Sequence, residues 1–388
     1  MPTQFDISRF GAIADDTTVN TAAIQAAIDA CHSAGGGQVW CGPGRFRTGA
    51  LQLKSGVELH LATGCRIVGS TDLADYSPLV ADGFHADRAP EASSESLLWA
   101  VDAEDIAITG NGTIDGSGLA FYEDTDGISK LAKPPTPRPR IAMLYRCRRV
   151  RIMDTAFVDC PCWTLWLMRC EGVTIQRITI TGNRRMRNMD GIDIDSCRDV
   201  TMSDCRLDTE DDCIVVRAVQ HVYAEPAICE NVVITNCVLR SACQGVRVGC
   251  PSDGTIRNCT FTNLVIQSTN NGIVFENPKR YLRPESVGTA DMTNILFSNI
   301  VIDCKRSPIS IRVEDGITLR AVADIRFSDM QIRSGGPCVI QGSPETPIRD
   351  ISFANMRIQT TGPDAIIARH CTGLRLSNVE LSNIPDKA

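Results

Sequence analysis

Val232-Val233-Ile234-Thr235-Asn236-Cys237 is one copy of a pattern that decides the fold. Apolar residues alternate with polar ones, and the run ends at an Asn followed by Cys. Alternation with a period of two is the signature of a strand with one buried face. The same unit returns as Val200-Thr201-Met202-Ser203-Asp204-Cys205, as Ile256-Arg257-Asn258-Cys259, and as Ile295-Leu296-Phe297-Ser298-Asn299. Later copies are Ile325-Arg326-Phe327-Ser328-Asp329, Ile351-Ser352-Phe353-Ala354-Asn355 and Leu374-Arg375-Leu376-Ser377-Asn378. Weaker copies run back through Val173-Thr174-Ile175 and Val150-Arg151-Ile152 to Ile106-Ala107-Ile108. The spacing, roughly 22 to 32 residues where no loop intervenes, is a solenoid period. A unit of two or three short strands cannot bury its apolar face alone, whereas stacked coils bury a continuous core. Asn and Asp suit the left-handed backbone of the turns. The expectation is an all-β, single-domain, right-handed parallel β-helix of about ten coils spanning residues 1–388, with coils over 41–388.

Residues 1–40 read as a cap. Thr18 to Cys31 places apolar residues at helical spacing after a Thr/Asn cap, and Gly35-Gly36-Gly37 stops the helix. An N-terminal helix there covers a strand edge that is otherwise open. Two segments break the period, 81–93 and the proline-rich 116–140; long loops on a solenoid often line a groove.

Composition narrows the function. The chain has 388 residues, 43% of them hydrophobic, and a net charge of -7. That charge argues against nucleic acid or an anionic membrane as the partner. No apolar run approaches the roughly 20 residues of a membrane span. The first residues carry no basic and apolar leader, which fits a cytoplasmic location unless a signal has been removed. The eighteen cysteines recur in similar contexts, as in Ser196-Cys197 and Asn258-Cys259. They read as reduced, stacked core residues, since a free Cys behaves as a small hydrophobe. No Cys/His spacing matches a zinc site, and neither a metal nor a cofactor is expected.

The chemistry concentrates in Asn188-Met189-Asp190-Gly191-Ile192-Asp193-Ile194-Asp195 and Asp208-Thr209-Glu210-Asp211-Asp212-Cys213. Acidic residues are poor strand formers and repel when clustered. A solvated acidic strand face is the bland alternative, with little physical reason to hold so many. In the first segment the isoleucines share one face, and Asp193 and Asp195 share the other. One turn of the repeat separates the two segments, so equivalent positions are expected about 4.8 Å apart. An inverting glycosidase needs two carboxylates about 6.5 to 9.5 Å apart, one as acid and one to activate water. Crowding raises one pKa and so supplies a protonated acid.

These motifs resemble glycoside hydrolase family 28, the polygalacturonase-like pectin hydrolases, over nearly the whole chain. Phe10-Gly11-Ala12, Gly112-Thr113-Ile114-Asp115-Gly116 and Trp163-Thr164-Leu165 have counterparts in it. So do Asn188-Met189-Asp190-Gly191-Ile192-Asp193, with Met189 in place of Thr, and Asp211-Asp212-Cys213-Ile214. The resemblance implies Asp211 as general acid, with Asp190 and Asp212 holding the attacking water. It also implies a pectic oligosaccharide as the partner. Two departures stand out. The family's Gly-His-Gly histidine is Gln244, and its Arg-Ile-Lys cations are Val274 and Glu276. A glutamate at that place repels a uronate, so the expected substrate carries a non-uronate or differently oriented sugar there.

Asn188, Asp193, Gln244, Glu276 and three cations, Arg185, Arg247 and Arg312, are the candidate substrate contacts. Arg247 alternates with Val246 and Val248 and so points off the core. Lys279 and Arg280 follow the altered motif as possible displaced cations. Trp163 and Trp166 lie in an apolar run and read as core. Two further readings stay open. One is a polysaccharide lyase using calcium in the acidic cluster with an Arg or Lys base. The other is a non-catalytic glycan-binding β-helix.

Overall fold

Short alternating strands leave each coil with one apolar face, and the structure stacks those faces in parallel. The computed structural model describes residues 3–124, 126–250, 253–268, 270–281 and 290–383. The chain divides into two compact units: Met1–Asp193 with Val200–Glu210, and Ile194–Asp199 with Asp211–Ala388.

The first unit builds three columns of parallel strands. One runs through Gln4–Asp6, Gly37–Cys41, Val57–Leu61, Ala107–Thr109, Arg148–Met153 and Glu171–Gln176. A second runs through Gly44–Thr48, Cys65–Gly69, Thr113–Asp115, Ala156–Val158, Thr179–Thr181 and Arg206–Thr209. The third is Leu51–Gln52, Ser96–Val101, Arg140–Tyr145 and Leu165–Met168. Inward residues such as Leu59, Ile67, Ile152 and Ile175 are fully buried. This is a parallel β-helix, the expected all-β architecture.

Thr21–Ser33 is the one α-helix among the described residues. Ile24, Ala27, Ile28 and Cys31 form its buried stripe, at the i, i+3, i+4, i+7 spacing of an amphipathic helix. It packs on the strands of the first coils, as a cap should. The entry differs from expectation. Asn20 sits at the N-cap but makes no capping bond with its side chain. Its buried amide instead accepts from Ile13 N at 2.6 Å and donates to Thr18 O at 2.8 Å. That tertiary clamp outcompetes the local cap. At the helix exit, Gly37 has φ 149°, and a Cβ there would run into Thr3 O.

The second unit has one column of short strands: Ile214–Arg217, Gln244–Gly249, Asn271–Asn277, Ile309–Val313, Cys338–Gln341 and Ile366–Arg369. Opposite it run long strands, Ile228–Ser241, Thr255–Ser268, Asp291–Cys304, Ala321–Ser334 and Ile348–Thr360. Each turns a corner at an Asn or Asp with positive φ, for example Asn236, Asn263, Asn299, Asp329 and Asn355. A left-handed backbone is costly for most residues and mild for these. The corners also bond to one another: Asn263 Nδ2 donates to Asn236 Oδ1 at 3.1 Å and Asn299 Nδ2 to Asn263 Oδ1 at 2.6 Å. Inside, Phe261, Phe297, Phe327 and Phe353 occupy one register position; the first three stack at 4.5 and 5.2 Å, and Phe353 meets Phe327 edge-on at 5.3 Å.

All eighteen cysteines are free thiols, and only Cys243 and Cys371 are partly exposed. Burial is the role read from their contexts. No helix of the described residues is long and apolar enough to cross a membrane.

Candidate functional site

In the first unit the segment before the acidic strand is held from below and from the side. Trp163 N donates to Asn188 O at 2.8 Å, and Thr164 donates to Asp190 O through both N and Oγ1. Thr164 is fully buried, so the Asp190 backbone is fixed. Asn188 takes a left-handed conformation, φ 60°, which turns the chain into the strand. Arg138, buried in the proline-rich loop, donates to Asn188 Oδ1 and Glu91 Oε2 at 3.2 Å and to Arg187 O at 2.8 Å. It thereby ties both long loops to the Asn188 segment. Sequence reading missed it, because nothing local distinguishes an arginine among prolines.

Arg185 is placed otherwise than expected. Its guanidinium donates to both oxygens of Asp124, to Asp126 and to Ser129 O. It is spent on pinning the loop, a role set by acids about 60 residues away in the chain. Lys130 of that loop reaches Glu210. Asp193, expected on an open face, has no exposed surface. A buried side chain is not open to a sugar, so the expected direct contact is corrected to a buried position. Trp163 and Trp166 are core, as read, and Arg140 lies over their rings at 4.5 and 4.7 Å.

The second unit holds the other residues. Asp195 is fully buried and accepts from Val219 N, Tyr223 Oη and Ser196 Oγ at 3.1, 2.8 and 2.9 Å. Burial still pushes its pKa up against those bonds. It is a structural anchor.

Asp211 is half-exposed at the entrance of the strand Ile214–Arg217, and its carbonyl accepts from Ser241 Oγ at 2.6 Å. Asp212 beside it is 3% exposed. Its Oδ2 accepts from Arg247 Nε at 2.5 Å, and its buried Oδ1 has no hydrogen-bond partner among the described residues. Burial, with the Asp211 charge adding to it, raises the Asp212 pKa to about 6 even though Arg247 pulls it down. One oxygen of each aspartate and the Cys243 sulfur lie within 4.8 Å of one another. With Arg247 on Asp212 this trio is already partly neutralised and carries no metal assignment.

Arg247 does point off the core, as the alternation predicts, but it is not a free cation. Its Nη1 donates to Glu276 Oε2 at 3.4 Å while its Nε holds Asp212. Burial lowers its pKa, and Asp212 and Glu276 more than offset this, so the guanidinium stays charged. The register explains the pairing: Arg247 lies beside Val274, and Glu276 is two residues along on the same face. The Gln244 amide lies 2.9 Å from Asn271 Nδ2 and 3.3 Å from Arg247 Nη2. Val274 is fully buried. Arg312 is exposed and stands next to Glu276 on the adjacent strand.

The arrangement offers a half-exposed carboxyl for proton donation and a buried carboxylate for holding a water, oriented by an ion-paired arginine. A group acting as ionised Asp212 gains activity as pH rises through about 6. Arg247→Gln removes the charge that lowers that pKa. The acidic limb of the kcat/KM–pH profile is expected to move upward, costing about tenfold at about pH 5. An unmoved limb would separate it from Asp212.

The model of glycosyl hydrolases family 28 matches residues 81–387. A "Probable polygalacturonase" of Vitis vinifera is 31% identical over 216 residues, which is 54% of this chain and 43% of that protein's length. An "Endo-polygalacturonase" of Pectobacterium carotovorum subsp. carotovorum is 23% identical over 340 residues, 84% of this chain and 81% of its own. The crystal structure of a hyperthermoactive exopolygalacturonase from Thermotoga maritima superposes with a TM-score of 0.83 at 23% identity, covering 98% of this chain and 92% of that one. At that identity the superposition speaks for the fold, a right-handed parallel β-helix.

Proposed function

Because the chain belongs to glycosyl hydrolases family 28 and is a glycosidase of that family, we propose that it cleaves a pectin-related glycan with inversion at a site whose sugar next to the acid pair is not a uronate. The observation that carries this is the Asp212–Arg247–Glu276 chain of charges. Glu276 stands where the family's motif has a lysine, and it engages the nearest cation. A uronate carboxylate placed there meets a negative group and an arginine already bonded on both sides.

In this reading Asp211 protonates the leaving oxygen, and Asp212 is the carboxylate that orients the attacking water. The family motif implies a water-holding role for Asp190. The Asp211 and Asp212 oxygens lie closer than the gap of about 6.5 to 9.5 Å across which an inverting acid and base face each other. That close spacing suits a nucleophile better, but Asp212 is 3% exposed and gripped by Arg247. A sugar carbon cannot approach such an oxygen. Proton NMR of the first-formed product, showing the inverted anomer, supports this; a retained anomer rejects it. The high pKa of Arg247 counts against it as the base of a lyase.

The test is product analysis on polygalacturonan, rhamnogalacturonan and oligosaccharides ending in rhamnose or galacturonate, read by reducing ends and by ultraviolet absorption. New reducing ends without an ultraviolet-absorbing double bond are expected, with polygalacturonan turned over poorly. Fast, clean turnover of polygalacturonan would sink the altered subsite. Unsaturated products would establish the lyase, and binding without turnover the non-catalytic β-helix.

A further inference from the structure

One outward column of the second unit has a charge pattern that the acid pair does not use. Gly249, Glu276, Arg312, Gln341 and Arg369 occupy successive positions on neighbouring parallel strands. Their inward neighbours Phe275, Ile311 and Ile340 are fully buried, so by alternation this column faces outward. Glu276 belongs to Arg247. Arg312 is exposed, and its Nε donates to Ser310 Oγ at 3.1 Å. Among the described residues, neither Arg312 nor Arg369 has a carboxylate partner, whereas the exposed Arg326, Arg257 and Arg177 each do. Lys279 N donates to Glu314 Oε2 at 2.8 Å. That bond holds the turn Lys279–Tyr281, with Arg280 stacked 4.8 Å over the 42% exposed Tyr281 ring, beside the end of the Arg312 strand.

We propose that Arg312 is a specificity-determining residue that binds the carboxylate of an acidic sugar one strand beyond Glu276, so that the enzyme selects a glycan in which acidic and neutral sugars alternate. The proposal rests on the reading of the chain as a glycan hydrolase. Strands are about 4.8 Å apart, close to the length of one sugar, so a glycan laid across them meets one column position per residue. Glu276 with its paired arginine receives a neutral sugar, Arg312 an acidic one, Gln341 a neutral one and Arg369 the next acidic one. A guanidinium with both Nη groups available suits a carboxylate in a bidentate fork. The cationic recognition missing at Val274 and Glu276 is thereby moved along the solenoid.

The test compares full-length wild type, Arg312→Gln and Arg312→Lys on alternating uronate–neutral oligosaccharides and on the same oligosaccharides with their carboxyls reduced to alcohols. The ratio of kcat/KM for the acidic over the reduced form is expected to fall about tenfold to a hundredfold in Arg312→Gln. The change should lie in KM, with part restored in Arg312→Lys. Arg326→Gln, a surface control, should leave the ratio unchanged. An unchanged ratio in Arg312→Gln, or an equal loss on both substrates, overturns the proposal. No cleavage of any substrate by wild type would reject the hydrolase reading instead. Calorimetric binding of the two oligosaccharides then decides: loss of the acidic preference in Arg312→Gln supports the proposal, and its persistence overturns it.

Discussion

Asp211→Asn is expected to lower kcat on the natural glycan by about 10²- to 10⁴-fold, the usual contribution of a positioned general acid. The loss should depend on the leaving group. A sugar alkoxide needs a proton as it departs, whereas an aryl group with an acidic phenol does not, so an aryl glycoside should recover much of the rate. Asp212→Asn should depress both substrates alike, because a water must be held whichever group departs. Asp211 is half-exposed, and Asn is nearly isosteric, so the fold should survive; near-ultraviolet circular dichroism of the variants checks this. If Asp211→Asn lost the aryl and the natural substrate to the same extent, Asp211 would not be the acid.

The second large effect is on stability. Phe297 is 1% exposed and stacks with Phe261 at 4.5 Å and with Phe327 at 5.2 Å. It is one of two inner rungs of the ladder, with an aromatic neighbour on either side and Phe275 edge-on at 6.0 Å. Phe297→Ala removes the ring and leaves a cavity bounded by stacked coils that cannot collapse sideways. A loss of about 3–5 kcal/mol is expected, read as a shift of the urea midpoint. Phe353, at one end of the ladder with Phe327 edge-on at 5.3 Å, should cost less. Equal losses at both rungs would mean that the ladder adds nothing beyond burial.

How much of this was readable beforehand depends on distance along the chain. The coils were legible because their causes are local: period-two alternation, and Asn or Asp where the backbone turns left-handed, as at Asn236 and Asn263. The cap helix was legible from its stripe of Ile24, Ala27, Ile28 and Cys31. Asn20 shows the limit, since its side chain prefers Ile13 and Thr18 to the helix end. In the site, the outward direction of Arg247 follows from alternation, but its two carboxylate partners lie on neighbouring coils 29 and 35 residues away. Register across such separations is not written in either stretch. The same holds for Arg185, whose acids sit in a loop 59 and 61 residues back, and for Arg138. Asp193 has no exposed surface, a depth of burial that the local alternation does not encode.

The thiols described above give the molecule a built-in opening assay. Sixteen are shielded and distributed along both units, and two are partly open. A maleimide pulse followed by peptide mass spectrometry would therefore date the exposure of each coil separately. Brief labelling under mild denaturant would convert a row of inert core atoms into a clock for the order in which the solenoid unravels.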